Sequence, residues 1–228
     1  VSTITLLIVI VVLSGMSLLA LLWFDYGRGW DWAALQYVDV WTWQGFFRHL
    51  VFNGFHPLLP WLVLFLYGLL LARLPLMQQR IQCLLIFAGL CLLLVGSGLS
   101  AVFADTAWSS LTGTGPIPPE PVYVLMAIGS ASCVMGACLW GCARWPNGGW
   151  TGLLPAGRMT LTLYLGHILI GMGILEALDM LHGGHDLIFT LGCAVAFLLF
   201  GTCFAWLWQK RFKYGPLEML MRKLTAIA

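Results

Sequence analysis

Charge is scarce in this sequence. Of its 228 residues only 9% are Asp, Glu, Lys or Arg, against roughly 25% in an ordinary soluble domain. So little charge cannot cover a water-facing globule, which excludes a soluble enzyme or binding module. The formal net charge of +2 is too small and too scattered to attract a polyanion, so no nucleic-acid partner is expected.

Metal-binding and disulfide signatures are also missing. The seven cysteines lie in or at the ends of apolar runs, which argues against a secreted-type disulfide framework. Cys133, Cys138 and Cys142 share one expected helix, the last two on one face. Zinc needs about four converging ligands, and no CxxC or HxxxH accompanies them, so no metal is expected. The start lacks an initiator Met and a basic leader, and Val1 opens inside an apolar segment. It is not a signal peptide. The expectation is the C-terminal part of a longer protein, with missing N-terminal helices of the same protein as partners.

What is present is hydrophobicity: 61% of the residues are apolar. Six runs of spanning length occur at 3–24, 58–74, 81–104, 122–142, 159–181 and 187–209, each about 17–25 residues. Pro57 and Pro60 fit the first turn of the second run and Pro75 stops it. Most tryptophans, including Trp23, Trp61, Trp108, Trp145, Trp206 and Trp208, fall near run ends or in the links, as an interfacial aromatic belt requires. The expected fold is all-α: one polytopic transmembrane domain over 1–228, lying in a lipid bilayer. The sequence leaves a homo-oligomer open.

Basic residues set the orientation. Arg73 and Arg80 follow the second run, and Arg144 and Arg158 the fourth. Lys210, Arg211, Lys213, Arg222 and Lys223 follow the sixth, whereas the links after the third and fifth have no Lys or Arg. Only Arg28 and Arg48 occupy the long link after the first. Both ends are therefore expected in the cytoplasm.

On the outer side, 25–56 contains "DWAALQYVDVWTWQGFFRHLVF" and reads as a helix lying in the interface, ended by Asn53-Gly54. Residues 108–121, "WSSLTGTGPIPPEP", form a connector or a lid. In the tail, Gly215 breaks the chain and Pro216 starts a short amphipathic helix whose basic side faces the cytoplasmic leaflet.

His167 is the residue that calls for chemistry. It lies nine residues beyond Arg158, roughly 13–14 Å along a helix axis and near the midplane of an apolar core about 30 Å thick. Thr160, Tyr164, His167 and Gly171 make one stripe, expected to face protein rather than lipid. Intramembrane ionisable groups mark functional sites; the competing reading is a neutral histidine hydrogen-bonded to a neighbouring helix. Glu176, Asp179, His182, His185 and Asp186 form a polar outer mouth, with "HGGH" as a turn or a metal pair. His56, beside Pro57 at the outer end of the second run, is the other candidate. Small residues at 96–100 and 129–138 are read as close helix contacts.

Three segments carry a resemblance. They are "GRMTLTLYLGHILI" at 157–170, "RFKYGPLEMLMRKLT" at 211–225, and Gly54, Pro57, Pro60, Trp61, Gly68 and Arg73 upstream. Together they resemble the C-terminal region of the YeiB-like family, a bacterial family of unknown function. That family is related by similarity to membrane acyltransferases such as the heparan-α-glucosaminide N-acetyltransferases. The resemblance implies a multi-pass protein of the bacterial cytoplasmic membrane that moves an acyl group from cytosolic acyl-CoA to an extracytoplasmic glycan or lipid acceptor. No cofactor is bound permanently; acyl-CoA is the donor substrate. His167, His56 and Tyr164 are the candidate catalytic residues, and Arg73, Arg144 and Arg158 the candidate ligands of CoA phosphates. Asp25, Arg28 and Gly29 spell D-x-x-R-G, a pattern that opens a span in several acyltransferase families. Here it closes one, and is read as coincidence. A small-molecule transporter or flippase module, or a non-catalytic scaffold, are the alternatives.

Overall fold

A computed structural model describes residues 2–34, 36–146, 148–181 and 185–225. The chain divides into two compact units, Val1–Arg144 and Trp145–Ala228.

In the first unit, helix α1 (Thr3–Trp23) starts at Ser2, whose hydroxyl accepts the Thr5 N–H, and ends where Phe24 turns extended. Its 21 residues rise about 32 Å at 1.5 Å each, enough to cross an apolar core. It packs on α3 (Leu58–Leu71), and Arg73 Nη1 donates to Thr3 Oγ1 at 3.1 Å where the two ends meet.

The link between them is not one interfacial helix. Trp30–Asp31 (β1) pairs antiparallel with Gln36–Tyr37 (β2). Thr42 then caps a short helix α2 (Trp43–Arg48) by accepting the Gly45 N–H. α2 runs into a π-helical turn, His49–Asn53, which stops at Gly54. The apolar Trp/Phe composition of this link suggested continuous helix, but its backbone is dictated by bonds from distant residues to Asn53. Together, Trp43–Asn53 and α3 are apolar enough for a span, bent by 43° between them. α3 alone has 14 residues, about 21 Å, so the second expected span is too short without its neighbour. Leu59 inside it has non-helical angles, beside the cis Leu59–Pro60 bond.

Helices α4 (Gln79–Phe103) and α5 (Pro121–Arg144) form a closely packed pair. The small residues are what permit it. A Cβ on Gly89 would lie 2.5 Å from the Gly129 carbonyl oxygen and 2.6 Å from Cys133 Sγ. A Cβ on Gly136 would lie 2.8 Å from the Gln82 carbonyl. Tyr67 of α3 shares a 2.7 Å hydrogen bond with Ser132 of α5. The connector between α4 and α5 folds on itself: Glu120 is buried and its carboxylate accepts the Gly113 N–H. Burial pushes the Glu120 carboxyl above its ordinary value, against that hydrogen bond.

In the second unit, Pro155 starts a one-turn helix α6 (Leu154–Gly157). The fifth expected span is helix α7 (Thr160–Gly166), a π-helical turn (His167–Met172) and helix α8 (Gly173–Ala177). It ends four residues earlier than the hydrophobic run implied, because Asp179 takes a left-handed conformation at φ 59°. Asp186 caps α9 (Leu187–Gln209) by accepting the Phe189 N–H at 2.8 Å. α6 packs on α9, and Gln209 Nε2 donates to the Pro155 carbonyl at 3.1 Å. Met159 and Ala205 are fully buried. The tail ends in α10 (Pro216–Leu224), which packs on α7.

Among the described residues five helical segments are long and apolar enough to cross a membrane, six with the bent pair. Their apolar side chains are mostly uncovered by the chain: none of the spanning window in Thr160–Ala177 is buried, and 6% of that in Leu187–Gln209. At about 25 cal/mol per Å² of apolar surface, such exposure is prohibitive in water and costless in lipid. The protein is an all-α, multi-pass membrane protein.

Candidate functional site

The candidate residues of the fifth span lie where its helix is interrupted. Gly166, Gly171 and Gly173 lie within eight positions and weaken the regular ladder. The helix opens there into a π turn whose first residue is His167. π turns insert one residue into an α-helix and occur frequently at functional sites. The His167 ring meets Phe197 of α9 edge-on, with centroids 5.1 Å apart and planes at 66°. Gly171 lies beside this contact, where a Cβ would make ordinary van der Waals contact with Phe197 at 3.5 Å and His167 at 3.8 Å. The imidazole thus lies against an aromatic ring of α9 and is exposed.

The stripe of Thr160, Tyr164 and His167 does not face a packed interior in the second unit. All three are exposed, Tyr164 by 64%. The unit has only two long helical segments, too few to cover every face of either one. Of the expected outer mouth, Asp186 is spent on capping α9 and His185 lies against Phe189 at 4.3 Å. His182 lies outside the described residues.

His56 belongs to the first unit. It is exposed, and its ring lies 4.7 Å from that of Trp61, which continues to Tyr123 at 6.4 Å. Trp61 Nε1 is buried with no hydrogen-bond partner. Pro57, fully buried beside it, fixes the chain direction.

The three arginines separate. Arg73 and Arg144 are exposed residues of the first unit, Arg73 bonded to Thr3. Arg158 lines a cavity of about 440 Å³ in the second unit, with Lys213, Tyr214, Glu218, Met221 and Arg222. The last five follow α9 by sequence and sit more than fifty positions from Arg158, which is why spacing alone did not join them. The Glu218 carboxylate accepts from Thr162 twice, from Oγ1 at 2.5 Å and from the backbone N–H at 3.1 Å. Burial would raise the Glu218 carboxyl, but these hydrogen bonds outweigh it and hold it below the ordinary carboxylate value.

Sequence reading missed one further cluster, in the link after α1. Asn53 is fully buried. Its Nδ2 donates to the carbonyls of Tyr26 (2.9 Å) and Arg28 (2.8 Å), and its Oδ1 accepts from the Tyr37 hydroxyl at 2.8 Å. Its own carbonyl accepts from Trp30 Nε1 at 2.6 Å. Arg48 donates to Tyr37 and pairs with Asp39 at 2.6 Å. The His49 ring, which opens the other π turn, packs edge-on against Tyr37 at 4.6 Å. Burial pushes the Tyr26 hydroxyl up to about 12. Gly29, in the D-x-x-R-G stretch, has φ +86° and a Cβ there would strike Asp39, Arg48 and Tyr37. The cluster ties itself together by these hydrogen bonds, leaving Asp39 Oδ1 buried and unpartnered, and acts as a clasp.

The family model for proteins of unknown function designated DUF418 matches residues 69–228. The match covers α4 through α10 and both downstream segments of the resemblance; Gly54, Pro57, Pro60, Trp61 and Gly68 lie upstream of it. No curated protein and no solved structure matches the chain. With well over half its length matched, from the end of α3 through the tail, the chain belongs to the DUF418 family of proteins of unknown function.

Proposed function

We propose that this protein is the helical part of a membrane acyltransferase that takes an acyl group from acyl-CoA and delivers it to a glycan or lipid hydroxyl across the bilayer. The observation that carries this reading is His167 at the head of a π turn within a spanning segment. An imidazole can take a proton near neutral pH, and one placed at this depth can meet a group arriving from either side. In the proposed step the acceptor hydroxyl oxygen attacks the thioester carbonyl carbon and forms the ester. The carbon–sulfur bond breaks. His167 takes the hydroxyl proton and returns it to the departing CoA sulfur, giving the ester and CoA thiol. On this reading Tyr164, one turn earlier, donates to the carbonyl oxygen as charge develops there.

The arginines at helix ends supply the donor side. Arg158 lines a basic cavity, Arg144 ends α5, and Arg73 follows the end of α3. On this reading those ends are cytoplasmic, and the membrane is a bacterial cytoplasmic membrane. His56, stacked near Trp61 on the outer side, serves the acceptor.

The test is CoA-thiol release from acyl-CoA by the protein in proteoliposomes containing cell-envelope lipid and glycan extract. Wild type should release thiol. His167→Ala should reduce release at least 100-fold at unchanged melting temperature, the contribution of a general base being about 10²–10⁴. Release unaffected by both His167→Ala and His56→Ala contradicts the assignment. Absence of release with every extract contradicts acyl transfer and favours transport.

A further inference from the structure

We infer that the cavity lined by Arg158, Lys213, Tyr214 and Arg222 is a binding site for a phosphate group carried on an apolar molecule, at headgroup depth in the membrane. The inference uses residues outside the His167 site and does not depend on acyl transfer.

Three cations converge there from three parts of the second unit. Arg158 precedes α7, Lys213 lies in the turn after α9, and Arg222 projects from α10. Arg222 lies over the Tyr214 ring with its guanidinium carbon 4.0 Å from the centroid, and Lys213 Nζ is 5.6 Å from the same ring. Cation–π contact holds both groups without consuming their charge, and a stacked guanidinium keeps its N–H edges free for a bidentate oxyanion.

The single carboxylate in the lining offsets one of their three charges and forms no ion pair with them within 4 Å. Both Glu218 oxygens are engaged by Thr162. Among the described residues the ion pair within 4 Å is Arg48–Asp39, in the first unit. Gly215 makes the Glu218 arrangement possible: a Cβ there would strike Glu218 Oε2 and lie 2.7 Å from Thr162 Oγ1. The "GPLE" stretch therefore directs its own acid to α7, and leaves the lining with a net positive charge from Arg158, Lys213 and Arg222.

Position selects the ligand's other half. The cavity lies where α7 begins and α9 ends; Trp208 Nε1 donates to the carbonyl of its lining residue Tyr214, and at the same end of α9 Lys210 Nζ sits 3.5 Å over the Trp206 ring. Tryptophans of this kind mark the boundary between headgroups and acyl chains. Met221 adds an apolar wall. A phosphate with an apolar attachment satisfies both, and it comes from an anionic lipid headgroup or from the phosphates of CoA.

Binding separates these sources. The purified protein in detergent is titrated with phosphatidylglycerol, read by native mass spectrometry, and with CoA, read by equilibrium dialysis. At least one should bind, more weakly as salt rises. Lys213→Gln and Arg222→Gln should each weaken it at least tenfold, while Arg222→Lys restores part of the loss. Arg80→Gln, an exposed cation of the first unit, should leave it unchanged. Phosphatidylglycerol alone binding assigns a headgroup site; CoA alone assigns a donor site. Lys213 lies outside regular structure, so its substitution keeps the test open if α10 tolerates no change. Neither probe binding, or a loss with Arg80→Gln equal to that with Lys213→Gln, would overturn the inference.

Discussion

At the scale of single residues, the strongest constraints lie on polar side chains in a mostly apolar chain. Asn53 satisfies two carbonyls and a phenol from 16 to 27 positions away. Asn53→Ala would remove all three bonds, one buried and two part-buried, with Tyr37 keeping its bond from Arg48, at roughly 1–3 kcal/mol for each buried group left unpaired. Thermal unfolding in detergent should show a loss in that range or more; a change near zero would mean that the link is not clasped there. Glu218 gives a pH signature. Its folded value is lowered, so its contribution is present above the ordinary carboxyl value of 4.5 and is lost as pH falls through the folded value. Glu218→Gln should therefore lower the melting temperature at pH 7 and make progressively less difference toward pH 3. A gap constant across that range would contradict the Thr162 contacts.

At the scale of elements, legibility followed the length of the apolar run. α1, α4, α5 and α9 each carry more than twenty apolar-dominated residues, and their ends match the expected bounds to within two positions. Hydropathy also located His167 within a spanning segment. It could not show the π turn, because one extra residue per turn leaves no periodic trace when every face is apolar. The 25–56 link misled for the opposite reason: its aromatic content suits an interfacial helix, while its hairpin depends on partners far along the chain. The basic cavity was hidden likewise, since Arg158 and Arg222 meet only through the packing of α7 and α10. The α4–α5 seam provides an element-scale test. Gly89→Val would drive a side chain into the Gly129 carbonyl and Cys133, costing about 1–3 kcal/mol as overpacking. Gly98→Val on the same helix meets open space and should be close to neutral. Equal melting temperatures for the two variants would refute the seam.

At the scale of the molecule, uncovered apolar surface and clustered charge point the same way. The spanning segments expose Leu, Ile, Val and Phe almost throughout, so the bilayer is the solvent that completes the fold. Cations gather after the spans while the intervening links carry few, which the proposed function reads as a donor side and an acceptor side. Family membership supplies the architecture's kinship; the chemistry rests on His167 and on the geometry around it. The most direct measurement follows a labelled acyl group through oriented proteoliposomes with acyl-CoA on one side and envelope extract on the other. The account predicts label in an ester on the far side, at a rate at least 100-fold lower with His167→Ala. Label that stays as acyl-CoA, or that crosses equally well without His167, would contradict it.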